Sequence, residues 1–199
     1  RWPTIAAAGA TVGALVAISF AALGSDVWHA FFQSMTFTQS VVLEQGGTGW
    51  EKIQSAFSAA RHWGADIGTA YTVQTILALS LAAGIAWLWQ SDAVFDLKAS
   101  ALASASLLAT PYVLDYDLVV AAVAIIFFVR HGLAQGFRDY ELSVLAAAWM
   151  VPLLSRSVAG LTTIPLGLIV LMTLFALTLH RALADRTSEI AGHARIAQA

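Results

Sequence analysis

Residues 99–129 read ASALASASLLAT-PYVLDYD-LVVAAVAIIFFV, two apolar runs of about a dozen residues each joined by a polar knot. Ala99–Thr110 and Leu118–Val129 carry no charge, whereas Pro111–Asp117 holds two carboxylates and two phenols. One kinked helix over the whole stretch would put both carboxylates near the bilayer centre, where each costs about 2.5–3.5 kcal/mol on insertion scales. A helical hairpin carries them at its tip instead, and Pro111 disfavours helix at Thr110, as a turn requires. The stretch therefore reads as a hairpin with Asp115, Tyr116 and Asp117 at its turn.

Composition sets this hairpin in a membrane. Hydrophobic residues make up 59% of the chain, charged residues 11%, and the mean hydropathy is +0.75. Soluble domains carry about 25% charge. Thr4–Leu23, Tyr71–Gln90 and Ser157–Leu179 are charge-free, and each has the roughly 20 residues that cross about 30 Å of hydrocarbon as a helix. Backbone groups in lipid must be satisfied internally, and no alternating pattern suggests a barrel, so the spans are helical. Leu142–Ser155 is a further short run, interrupted by Pro152. The expectation is an all-α, polytopic membrane helix bundle of about six membrane helices, some short, forming one multi-pass integral-membrane domain over residues 1–199. The chain opens at Arg1 and runs straight into an apolar segment, which reads as a fragment of a longer polytopic protein.

Residues 24–70 form a segment of mixed character with amphipathic helices expected to lie on the membrane surface. In the first, Asp26 caps, and Trp28, Phe31, Phe32 and Met35 follow at helical spacing. A turn through Gln45-Gly46-Gly47 leads to the second. There Thr48 and Glu51 make a capping box, Trp50, Ile53, Phe57 and Ala60 an apolar stripe, and Gly64 the stop. The same aromatic faces equally suit packing against the bundle. Tyr71 at one end of its span and Trp87 and Trp89 at the other suit interfacial belts. Arg130–Glu141 reads as a polar loop and residues 182–199 as a frayed, cytoplasmic helical tail. With the hairpin, Arg1, Lys98, Arg130, Arg138, Arg181, Arg186 and Arg195 fall inside and Lys52, Arg61 and Arg156 outside. A single kinked span in the opposite orientation balances charge equally well, so the cost of burying the carboxylates decides for the hairpin. Residues 24–70 and the Asp-Tyr-Asp tip then share the external face.

The net charge of −2 and the lack of a basic run give no phosphate-tracking stripe, so nucleic acid is not a partner. Without cysteine, disulfides, thiolate catalysis and cysteine metal sites are excluded. No His/Asp/Glu spacing suits a metal, and no cofactor motif is present. Asp115 and Asp117 are the catalytic candidates: one can cap the helix beginning at Leu118, while the other orients a sugar hydroxyl, assists a metal or serves as base. Arg61 is suited to a lipid phosphate, which its guanidinium matches bidentately, or to the C-terminal dipole of its own helix. Gln74 and Gln33 either bond substrate or bond across helices. His29, beside Trp28, reads as an interface residue rather than a base.

The combination of Trp28-His29-Ala30-Phe31-Phe32, Ser55-Ala56-Phe57-Ser58-Ala59-Ala60-Arg61 with Gly64, Ala70-Tyr71-Thr72-Val73-Gln74, and Ala109-Thr110-Pro111-Tyr112-Val113-Leu114-Asp115-Tyr116-Asp117-Leu118 resembles the family 87 glycosyltransferases, the DUF2029 proteins of bacterial inner membranes. The resemblance runs across roughly residues 28–130, with the last block its most specific part. It implies a C-type glycosyltransferase that passes a hexose, typically mannose, from a polyprenyl-phosphate sugar donor to a glycolipid or glycan acceptor on the external face, among membrane lipids. The family's base is usually an aspartate in the first external loop, and the chain has no counterpart before Ser25, which implies that this is the family's C-terminal part. Arg61, Tyr112, Tyr116 and Gln74 are then substrate-binding candidates. Two readings from other classes stand beside it: a transporter or flippase subunit with an intramembrane carboxylate site, and a non-catalytic scaffold whose surface helices bind a partner.

Overall fold

The computed structural model describes residues 2–196. Every regular element among them is helical, and the one β-type contact is an isolated bridge between Ile53 and Leu114. The chain divides into two compact units, Arg1–Gly47 and Thr48–Ala199.

The first unit is helix α1, Trp2–Phe37, continued by a π-helical turn over Thr38–Glu44. Gly24 interrupts α1 with φ 79° and ψ 174°, a backbone conformation that side chains rarely adopt, so the expected first span and first aromatic helix separate there. Trp28, Phe31 and Phe32 contact one another edge-on or tilted, with ring centroids 5.7–6.1 Å apart, and the helix continues past Met35. No residue of α1 is buried. His29 lines a mostly apolar groove along this helix, and Gln33 is exposed.

The second unit holds α2 Ala56–His62, α3 Ile67–Gln90, α4 Phe95–Ala109, α5 Ala121–Gln135, α6 Glu141–Thr162 and α7 Leu166–Ile196. The hairpin forms as expected: α4 and α5 pack side by side, joined through the knot, with Arg130 pairing back to Asp96 at the open end. Helix α4 is the centre of the bundle, packed by α3, α5 and α7. Its small residues explain this: Ser100, Ala101, Ser104 and Ala105 are buried, and small side chains let helix backbones approach closely in apolar surroundings. Ser104 returns its hydroxyl to the Ser100 carbonyl at 2.9 Å, so burial leaves no orphan there. Gly84 plays the same part on α3, where a Cβ would stand 3.1 Å from the Phe175 ring.

Among the described residues, five segments are long and apolar enough to cross a membrane: Trp2–Glu44, Ile67–Gln90, Asp115–Gln135, Glu141–Thr162 and Leu166–Thr187. With 15 residues, α4 rises only about 22 Å, short of the hydrocarbon core.

Three local expectations give way to the structure. The Thr48–Glu51 capping box does not open a helix; Trp50–Lys52 is one 3-10 turn, the chain extends through Ile53, and α2 starts at Ser55, whose hydroxyl accepts from the Ser58 amide at 3.0 Å. Ala56–Ala60 are all buried, so α2 is an interior helix rather than a surface one. The polar stretch after Arg130 is not all loop: α5 runs to Gln135 because Arg130 and His131 find partners in Asp96 and Asp185. Finally, α6 passes through Pro152 without ending, and the break falls at Thr163, in the left-handed region at φ 60°, just before Pro165. Proline disfavours helix at the residue preceding it, which sets the boundary at Ile164 rather than near Ser157. The 182–196 part of the tail continues α7 as a helix.

Candidate functional site

The knot, Pro111–Asp117, lies at the end of the second unit where the 48–66 segment and the α6–α7 connection also meet. Backbone pairing holds it: Gln54 donates its amide to the Val113 carbonyl at 2.8 Å beside the Ile53–Leu114 bridge. The Gln54 side chain, 1% exposed, donates to the Glu51 carbonyl at 2.7 Å and accepts from the Gly167 amide at 3.1 Å. Gln54 thus joins the knot through its backbone amide, and the 3-10 turn to the start of α7 through its carboxamide. Only glycine fits at 167, since a Cβ would stand 2.8 Å from the Gln54 oxygen.

Gln74 braces the other side. Buried to 4% exposure, it accepts from the Phe57 amide at 3.1 Å and donates to the Leu108 and Ala109 carbonyls at 3.0 and 3.1 Å. It satisfies an orphan donor at the start of α2 and orphan acceptors at the end of α4. The alternative of bonding across helices is the one the structure adopts, and its amide is fully engaged internally.

The two aspartates part company. Asp117 turns back, and its Oδ2 accepts from the Leu114 amide at 2.9 Å while its own amide donates to the Leu114 carbonyl at 3.0 Å, closing the 3-10 turn Asp115–Val120. Asp115 receives only the neighbouring Tyr116 amide, at 3.0 Å on Oδ1; its Oδ2 has no hydrogen-bond partner among the described residues. Tyr116 is 66% exposed, and Tyr112 is half-buried with its backbone tied to Thr110. The tip therefore presents one uncommitted carboxylate flanked by two phenols.

Arg61 donates to the Ala65 carbonyl at 2.7 Å and lies over the Trp50 ring at 5.0 Å. Its contact past the end of α2 is the dipole-answering arrangement. Next along the chain, Asp66 caps α3 through the Thr69 amide at 3.0 Å and hydroxyl at 2.6 Å; these bonds, the hydroxyl first, hold its carboxyl below the ordinary 3.8. Trp63 donates to the Thr163 carbonyl at 3.0 Å, tying α2 to the α6–α7 corner.

The sequence reading brought out Arg61, Gln74, Tyr112, Asp115, Tyr116 and Asp117, and all six fall at this end of the unit. It missed Gln54 and Gly167, whose pairing spans 113 residues, and Glu51, whose carboxylate folds back over Gly49 at φ 88°. No pattern of spacing signals such a contact; only the glycine at 167, just inside a helix, hints at a close approach. At the opposite end, also unforeseen, Arg181 and Glu141 form a buried ion pair at 2.9 Å. Among the described residues no group of His, Cys, Asp or Glu is arranged to hold a metal ion.

A carboxylate, two phenols and nearby cations can hydrogen-bond sugar hydroxyls, receive a hydroxyl proton and balance a phosphate. No curated protein and no solved structure matches the chain. The model of glycosyltransferase family 87 matches residues 1–111. That range takes in the motifs from Trp28 to Gln74 and the first span as well, and it ends at Pro111, ahead of Asp115-Tyr116-Asp117. With more than half of its 199 residues matched, this chain belongs to glycosyltransferase family 87.

Proposed function

We propose that this glycosyltransferase is a hexosyltransferase, of mannose in the first instance, that uses a polyprenyl-phosphate sugar donor at the external face of a bacterial inner membrane. Family membership supports glycosyl transfer, and five segments apolar enough to span suit a lipid-borne donor. The single observation that carries the assignment of residues is the uncommitted Asp115 carboxylate between Tyr112 and Tyr116. In the reaction, an acceptor hydroxyl on a glycolipid or glycan attacks the anomeric carbon. The new C–O bond forms as the bond from that carbon to the phosphate oxygen breaks, and polyprenyl phosphate leaves with the electron pair.

Two roles suit Asp115, receiving the hydroxyl proton or holding a sugar hydroxyl in the attacking geometry. Tyr112 and Tyr116 offer hydroxyl groups and ring faces to the sugar, and Arg61 adds positive charge at this end for the phosphate. Asp117 and Gln74 serve by holding the turn and the ends of α2 and α4. The test uses the intact protein in proteoliposomes, offered labelled mannose either on polyprenyl phosphate or on a nucleotide. Transfer from the lipid-linked sugar alone is the expected result, and transfer from the nucleotide sugar alone would overturn the donor assignment.

A further inference from the structure

At the end of the second unit away from the knot lies a cavity of about 350 Å³. Its wall takes His131 and Gln135 from α5, Gly136 and Arg138 from the loop that follows, and Arg181 and Asp185 from α7. Nothing in the glycosyl-transfer reading uses it.

Donors outnumber acceptors in this wall. Both Asp185 oxygens are taken: Arg138 donates to Oδ1 at 2.7 Å, His131 lies 2.9 Å from Oδ2, and the Arg181 Nε is 3.1 Å from Oδ1. Glu141, behind the wall, receives Arg181 at 2.9 and 3.0 Å and the Arg138 amide at 2.8 Å. The Gly136 carbonyl accepts from the Arg181 NH2 at 3.0 Å. By contrast Arg138, with 39% of its side chain exposed, commits one NH2 to Asp185, and among the described residues the rest of its guanidinium makes no further bond. Gln135 is exposed, and its carboxamide has no partner among the described residues. With Glu141 counted, two guanidiniums meet two carboxylates, so with His131 neutral the cluster is balanced and the open side of the Arg138 guanidinium is the donor a ligand would meet. A ligand rich in acceptor oxygens and negatively charged completes such a wall, and a phosphate group is the best match to an open guanidinium fork.

Position narrows the class further. Gln135 ends one segment able to cross the membrane, and Asp185 lies in the last turn of another, Leu166–Thr187, so the cavity opens at headgroup depth. Val94 and Phe137 give it an apolar side for glycerol and acyl carbons. Arg186, exposed in the last turn of the Leu166–Thr187 segment, adds a cation at this end. We propose that this cavity binds the phosphate headgroup of an anionic membrane lipid, on the face opposite the Asp115 tip. It does not depend on the choice of sugar donor.

Native mass spectrometry of the intact protein, released from micelles holding equal phosphatidylglycerol and phosphatidylcholine, tests this. Retained phosphatidylglycerol should exceed phosphatidylcholine by roughly tenfold, the scale of one charge-assisted contact. Arg138→Gln, which removes the open fork, and Val94→Trp, which fills the cavity without changing charge, should each erase most of that preference. Both residues are exposed enough that neither change touches the buried Arg181–Glu141 pair. Millimolar inorganic phosphate in a parallel arm separates the sources: if it displaces phosphatidylglycerol, the site takes the free anion too, and if it does not, the site is specific for the lipid. Equal retention of the two lipids by the wild-type protein, or unchanged preference in both variants, would overturn the proposal.

Discussion

Gln74 shows how one polar side chain can organise a buried turn. A buried amide without partners costs about 1–3 kcal/mol per group, and here the three partners are backbone groups that no helix could satisfy. Gln74→Leu keeps the bulk and orphans the Phe57 amide and the Leu108 and Ala109 carbonyls. A loss of about 2–4 kcal/mol is expected, measured as a lower midpoint in thermal or denaturant unfolding of the purified protein. Unchanged stability would mean that the brace is not formed in the folded protein. Asp117 works in a similar local way, closing its own turn, whereas Asp115 accepts only from the adjacent Tyr116 amide and keeps Oδ2 without a partner among the described residues. That contrast between two carboxylates two positions apart was not legible in the sequence. The sequence left open which of the two would cap; which of them turned back on Leu114 depended on the 3-10 geometry after the Ile53–Leu114 bridge.

Among the elements, α3 illustrates a helix whose start is set by one cap. The hydroxyl and amide of Thr69 both bond the ionised Asp66, which holds its carboxyl below the ordinary 3.8. A depressed folded-state value means a contribution present above the unfolded value and lost as pH falls through the folded one. Hydrogen-exchange protection in the first turn of α3, measured relative to the intrinsic rate at each pH, should therefore fall below about pH 4. Asp66→Asn should flatten that dependence, since asparagine caps without titrating. Persistence of the acid step in the variant would show that another group causes it. Apolar periodicity and length made α3 and the α4–α5 hairpin readable, because both signals are local. The α6–α7 boundary was not, since Pro152 looked like a breaker. In the structure the helix passes through it and the left-handed Thr163 with Pro165 makes the break. The same holds for α2: its stripe of Ile53, Phe57 and Ala60 was visible, but whether it faced lipid surface or protein interior was a question of tertiary contacts.

At the scale of the whole second unit, the two ends differ in their number of basic residues and in construction. The knot end holds Lys52, Arg61 and Arg156; the other holds Lys98, Arg130, Arg138, Arg181 and Arg186, with the Arg181–Glu141 pair sealed in protein. Breaking a buried pair of this kind is costly, which is why such charges stay matched inside a helix bundle. By the positive-inside rule, the larger number of lysines and arginines at the second end is the reason we propose that this end faces the cytoplasm. Because the chain has no cysteine, single cysteines report sidedness without background. Lys52→Cys and Tyr116→Cys should react with an impermeant maleimide from outside intact cells, and Arg186→Cys only after permeabilisation. Labelling of Tyr116→Cys and Arg186→Cys from the same side would contradict the orientation. The pairing of Arg181 with Glu141 lies 40 residues apart in the chain, beyond what helical spacing can suggest.

The account stands on Asp115 acting in the transfer while Asp117 holds the turn, and the turnover of two asparagine variants separates these roles most directly. In the intact protein, with polyprenyl-phosphate mannose and acceptor saturating, Asp117→Asn retains an oxygen to accept from the Leu114 amide and should keep kcat within a few-fold. Asp115→Asn removes the charge while keeping an oxygen to accept from the Tyr116 amide, and should lower kcat by about 10²–10⁴-fold with unfolding behaviour unchanged. Near-normal kcat in Asp115→Asn would contradict the account, leaving the knot a structural turn and the chemistry elsewhere.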